Sequence, residues 1–123
     1  MSPTEFRRLV EEAINSLPED ILHHLRNVEV LVEWTPLPEQ RRKAGLRPWE
    51  DLFGLYEGVP LTERGVTSGE PLLPDRITIF QRPIERRHRT PERIRDAVRR
   101  TLMHEIAHHF GISDERLREL GAY

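Results

Sequence analysis

Thr90-Pro91 and Gly111 bracket a stretch without internal proline or glycine, and it reads as one long helix. Threonine before proline supplies a cap and a first helical residue, and glycine suits the left-handed turn that ends a helix. The two halves of this helix differ. Up to Arg100, the residues Ile94, Ala97, Val98 and Thr101 form an inward stripe, with Arg93, Arg95, Arg99 and Arg100 outward. From Leu102 onward, Met103, Ile106, Ala107 and Phe110 add apolar side chains on the far side of the helix as well. A helix apolar all round is a buried one. It nevertheless carries His104, Glu105, His108 and His109, and polar groups in a core are costly unless bonded, paired or metal-bound.

Their spacing narrows the chemistry. Four helical residues bring the chain round by one turn plus about 40°, so the His104 and His108 imidazoles can reach one ion from the same face. Gly111 can turn the chain sharply enough for Asp114 to point back toward that ion. Zinc takes nitrogen and oxygen donors in a roughly tetrahedral set that leaves one position for water, and a neighbouring carboxylate can take that water's proton. Glu105 is placed to be that base, and His104-Glu105-x-x-His108 is the H-E-x-x-H pattern. His109 projects about 140° from His104 and misses the ion. It is read as an outer partner of the site, a cation at the helix end or a core residue. Tyr56 is a possible hydrogen-bond donor, although an aromatic on a strand is more often core. His23, His24 and His88 read as surface residues, and Trp34 and Trp49 as packing residues beside loops.

With 123 residues the chain is long enough to bury a core without staples, and one domain over 1–123 is expected. It has no cysteine, so disulfides and thiolate-held metals are excluded and any metal must use His, Asp or Glu. The start, MSPTEFRR, has no apolar run, and no stretch approaches the length of a membrane span. A soluble cytoplasmic protein with no membrane partner is expected, and a bacterial origin fits. Residues 82–100 carry eight arginines against Glu85, Glu92 and Asp96, a local excess of five positive charges. Such a segment can bind nucleic acid, but its interleaved acids suit a solvated, ion-paired helix face better.

Along the chain, Ser2, Pro3 and Glu5 predict a capped helix over about residues 3–17, with Phe6, Leu9, Val10, Ala13, Ile14 and Leu17 as its stripe. Pro18 and Asp20 break it, and a short helical turn follows from Ile21 to Leu25. Val28 to Trp34 alternates as a strand with one wet face. The polar, basic stretch from Pro36 to Pro48 is read as a loop. Leu52 to Tyr56 is a second strand, Val59 to Leu61 a short third, residues 62–75 a loop, and a last strand runs through Phe80 to near Pro83. Ser113 caps a final short helix through Leu120, burying Leu117 and Leu120.

The run His104-Glu105-Ile106-Ala107-His108-His109-Phe110-Gly111-Ile112-Ser113-Asp114 resembles the zincin clan of metallopeptidases, and is similar to metzincins that use Asp as third ligand. With L-F-G-L-Y-E-G-V-P-L at 52–61 and R-I-T-I-F-Q-R-P-I at 76–84, the chain more closely resembles small bacterial zincin-like metallopeptidases. That resemblance covers roughly the C-terminal three-fifths. It implies an α+β fold: an N-terminal helix, a small mixed sheet of three or four strands, a long active-site helix and a short C-terminal helix. It also implies His104, His108 and Asp114 as ligands of one zinc ion per chain and Glu105 as the general base. The nine residues after Asp114 contain no methionine, so the likeness does not extend to the methionine turn of metzincins.

The expected activity is zinc-dependent hydrolysis of peptides or unfolded protein, with the strand at 76–82 as a candidate edge for an extended substrate. Two other functions share these residues. A metal-dependent RNA-processing nuclease would draw on the basic segment, and Glu105 beside the first ligand argues against it. A metal-stabilised regulatory domain would keep the ligands and lack a substrate.

Overall fold

Six helices and a three-stranded mixed sheet make up the α+β fold of the computed structural model, which describes residues 1–58 and 74–121. The short strand expected at Val59–Leu61 and most of the loop after it lie outside the described residues. Helix α1 (Pro3–Asn15) opens as its sequence predicts: the Ser2 hydroxyl accepts from the Glu5 N–H at 3.1 Å, and Pro3 holds the first turn. Phe6, Leu9, Val10 and Ala13, spaced three and four apart, are its buried face. The helix stops two residues short of Leu17, where Ser16 turns its hydroxyl back onto the Ala13 carbonyl at 2.8 Å. Helix α2 (Glu19–Leu22) and a 3₁₀ turn (His23–Leu25) lead into β1 (Val28–Glu33).

Two helices stand where the sequence pattern gives none. Helix α3 (Pro38–Lys43) lies inside the stretch read as a loop. It has no apolar periodicity and is held by local chemistry: Pro38 starts it, and the buried Gln40 side chain accepts from the Leu37 N–H at 2.8 Å. Acidic Glu39 stands at its start, and Arg41, Arg42 and Lys43 at its end, as the helix dipole favours. The Arg41 guanidinium then ties down the following turn by donating to the carbonyls of Arg47, Pro48 and Glu50 at 2.9, 3.2 and 2.8 Å. Helix α4 (Gln81–Arg87) starts where the last strand was expected to continue. Pro83 falls in its first turn, where a missing N–H breaks no intrahelical bond.

Strand β2 (Gly54–Glu57) and strand β3 (Asp75–Phe80) complete the sheet in the order β1-β3-β2. β3 pairs parallel to β1, Val28 opposite Asp75, and antiparallel to β2, Gly54 opposite Ile79. The strand proposed from sequence as an edge is therefore the central one. Its residues Ile77, Thr78, Ile79 and Phe80 are all buried, so both faces of β3 are covered. Among the described residues the edge near the long helix is β2.

Helix α5 (Pro91–Phe110) keeps its expected limits, with Thr90 capping the Arg93 N–H at 3.2 Å and Gly111 ending it at φ 71°. Its residues Ile94, Val98, Leu102, Met103 and Ile106 join Phe6, Leu9, Val10, Ile77 and Ile79 in one apolar cluster. The last turn departs from the all-buried expectation. His108, His109 and Phe110 are exposed, while His104 and Glu105 are half-buried. Only two of these four polar residues are therefore partly desolvated. Helix α6 (Asp114–Glu119) closes the fold, capped by Ser113 and anchored by buried Leu117, with Leu120 half-buried just beyond its end.

Candidate active site

α5 runs beneath the edge strand at close range. A Cβ at Gly54 would lie 2.6 Å from Thr101 Cγ2, so glycine is what lets the strand backbone settle onto the helix. One turn further along α5, Glu105 meets the same strand: its Oε1 accepts from the Tyr56 main-chain N–H at 2.9 Å. In an antiparallel pair alternate residues turn their N–H and C=O groups toward the partner. Phe53 faces β3, since its carbonyl accepts from the Phe80 N–H at 2.9 Å. Gly54 and Tyr56 therefore turn theirs outward. Burial pushes the Glu105 carboxyl above the ordinary glutamate range, and the Tyr56 N–H and the nearby His108 and His104 only partly oppose it.

Three cavities surround this carboxyl, and Glu105 lines all of them. One, of about 370 Å³, is walled by His104, His108, Asp114, Ile112 and Leu117. The second, of about 410 Å³, adds Lys43, Tyr56, His108 and His109. The third, of about 480 Å³, is largely apolar, with Leu52, Phe53, Ala97 and Thr101 as walls and Arg100 and His88 beside them. His88, read from sequence as a surface residue, is half-buried there with Phe53 edge-on at 6.0 Å, and burial followed by the charges of Arg100, Arg93 and Arg87 lowers its pKa.

The three expected ligands share the first cavity. Gly111 puts Asp114 there: its φ of 71° is left-handed backbone, and nothing lies within 4 Å of where its Cβ would be, so the glycine serves the turn and not a tight fit. Among the described residues no three His, Asp or Glu side chains converge closely enough to hold an ion. His108 and Asp114 are both exposed. In donor chemistry the set fits zinc: two imidazoles one helical turn apart, one carboxylate across the turn, and a second carboxylate alongside as a proton acceptor.

Several residues that shape the site were missed or misassigned from sequence. Tyr56 reaches Glu105 through its backbone, while its hydroxyl donates to Asp75 Oδ2 at 2.6 Å. Asp75, read as the end of a loop, is the first residue of β3. His109 stacks on the Tyr56 ring, centroids 3.9 Å apart and planes at 18°, with Nε2 3.8 Å from Asp75 Oδ2. The only sequence signal for Asp75 was the alternation of D-R-I-T-I-F, begun one residue earlier. Trp34 and Trp49, read as packing residues, are 54% and 73% exposed, with Arg82 and Arg47 over their rings.

A helix with H-E-x-x-H spacing under an edge strand, followed by a left-handed glycine and a carboxylate, defines a zincin-type arrangement. The family profile described as zincin-like metallopeptidase matches residues 25–122, and the chain belongs to that family. The match begins before β1, so it takes in the whole sheet as well as the helix motif. Comparison with curated proteins gives no match.

Proposed function

We propose that this protein is a zinc-dependent metallopeptidase, built as one domain over residues 1–123 and working in a bacterial cytoplasm on peptides or unfolded protein segments. The observation that carries this reading is the position of Glu105, a half-buried carboxylate at the junction of three cavities and under an edge strand. His104, His108 and Asp114 would hold one zinc ion, which supplies Lewis acidity toward a peptide carbonyl and acidifies water. Glu105 takes the proton of the attacking water and delivers it to the leaving amine nitrogen, a transfer eased by the pKa that burial raises. An extended substrate adds to β2 through the outward groups of Gly54. The largely apolar cavity beside Gly54 receives a side chain of that substrate.

The basic segment gives the nuclease alternative less support than its sequence did. Arg87 is paired with Asp51 at 2.9 Å and Arg95 with Glu12 at 3.6 Å, so part of its charge is answered internally. The test is incubation of the zinc-supplemented protein with an unstructured peptide mixture and, in parallel, with single-stranded RNA. Peptide fragments with intact RNA are expected. Cleaved RNA with intact peptides would replace the peptidase reading with the nuclease one, and no cleavage of either would favour a binding domain.

A further inference from the structure

We infer that Tyr56 is a positioning residue for the base, holding Glu105 through its main-chain N–H while its side chain locks the edge strand in the register that makes this bond possible. The inference rests on the peptidase reading for its catalytic consequence, though its geometry stands without it. Tyr56 joins three elements at one point. Its N–H faces outward from β2 and is taken by Glu105 of α5 at 2.9 Å. Its hydroxyl reaches across to Asp75, at the start of β3, at 2.6 Å. Its ring lies flat on His109, four residues after Glu105 on α5, and His109 Nε2 comes within 3.8 Å of the same Asp75.

Each contact has a separate job. Among the described residues β2 pairs with a strand on one side only, and such a strand can slide or lift unless other contacts fix it. The hydroxyl bond to Asp75 pins β2 along its length. The His109 stack sets the height of β2 above α5, since an aromatic pair 3.9 Å apart is at contact distance. With both fixed, the Tyr56 N–H is held toward Glu105 Oε1, and the second oxygen, Oε2, is the one assigned to take a proton. Strand docking is narrowed by the same bond. Of the two outward-facing residues, Tyr56 has its N–H engaged, so a substrate strand pairs first at Gly54.

Amide hydrogen exchange on the full chain tests this without reference to activity. An outward N–H on an edge strand ordinarily exchanges fast. The Tyr56 amide is expected to be protected in the wild type and to lose about tenfold or more of that protection in Glu105→Ala, as for loss of a bond to a charged acceptor. Thr78 and Ile79 should stay unchanged. Fast exchange at Tyr56 in the wild type would overturn the inference. In the peptide assay, Tyr56→Phe keeps the ring and removes the hydroxyl. It should lower kcat about tenfold, comparable to one such bond, with KM and zinc content unchanged. Asp75→Asn, which retains an acceptor oxygen, should lose less than Asp75→Ala. A rise in KM at constant kcat would show a binding role instead and would also overturn the assignment. If the wild type cleaves no peptide while Tyr56 is protected, the peptidase reading fails and the positioning stands.

Discussion

The two sides of α5 are made from one continuous helix and do opposite work. Toward α1 and β3 it presents Val98, Leu102, Met103 and Ile106, each fully buried in the apolar cluster. Toward β2 and the C-terminal turn it presents Thr101, His104, Glu105 and His108, which line cavities. The closed side sets where the helix lies, and the open side carries the proposed site. The half-buried Glu105 is tolerated on a helix whose opposite face is thoroughly packed. Substitutions on the closed face are expected to unfold the protein, and those on the open face to impair the proposed activity.

The largest separation is expected at Glu105. Glu105→Gln should lower peptide hydrolysis by about 10²- to 10⁴-fold, the usual range for a general base, with zinc content unchanged. Its folded-state pKa is raised, so the folded protein binds an extra proton between the unfolded and folded values, and stability falls as pH rises through that window. The metal-free Gln variant should therefore be somewhat more stable than wild type at neutral pH, measured by thermal melts. Leu102→Ala, on the closed side, should do the reverse, costing about 2–5 kcal/mol in denaturant melts through a core cavity. At low temperature its remaining folded fraction should keep its turnover. Equal loss of activity in both variants, at matched folded fraction, would break the distinction between the two faces.

Smaller effects sharpen it. Gly111→Ala places a Cβ in left-handed backbone, costing about 1 kcal/mol, and should loosen zinc by moving Asp114, read by competition with a chelator. The least effect is expected at Glu57. Burial alone would raise its pKa, but the Lys43 hydrogen bond at 2.8 Å, with the charges of Lys43 and Arg76, holds it below the ordinary value. A depressed carboxyl stabilises the fold above its unfolded pKa and loses that contribution as pH falls through the folded one. Acid unfolding of Glu57→Gln should thus show a slightly shallower pH dependence than wild type below about pH 4.3, the unfolded glutamate value.

What could be read from the sequence follows from how local each signal is. The limits of α5 and the starts of α1 and α6 were legible, because Thr90-Pro91, Ser2-Pro3 and Ser113 cap their helices by contacts three residues away. The family and its H-E-x-x-H helix were legible for the same reason. α3 was not, because its stability comes from Gln40 and the Arg41 ties and not from an apolar stripe. The order of the sheet was hidden too. The alternation of β3 looks alike in an edge or a central strand, and only the parallel pairing with β1 covers its second face. In the site, spacing along the helix was enough to suggest Glu105 as a base and His104 and His108 as ligands. Tyr56, Asp75 and His109 meet only once three elements are packed, and no spacing in the chain announces them.

If the open face of α5 is a zinc site, the zinc content of tag-free protein after removal of loosely held metal will show it. About one zinc per chain is expected in the wild type, with loss of that zinc in His104→Ala and His108→Ala and weakened retention in Asp114→Ala. A wild-type protein that holds no zinc, or holds it equally well without His104 and His108, would contradict the zinc assignment.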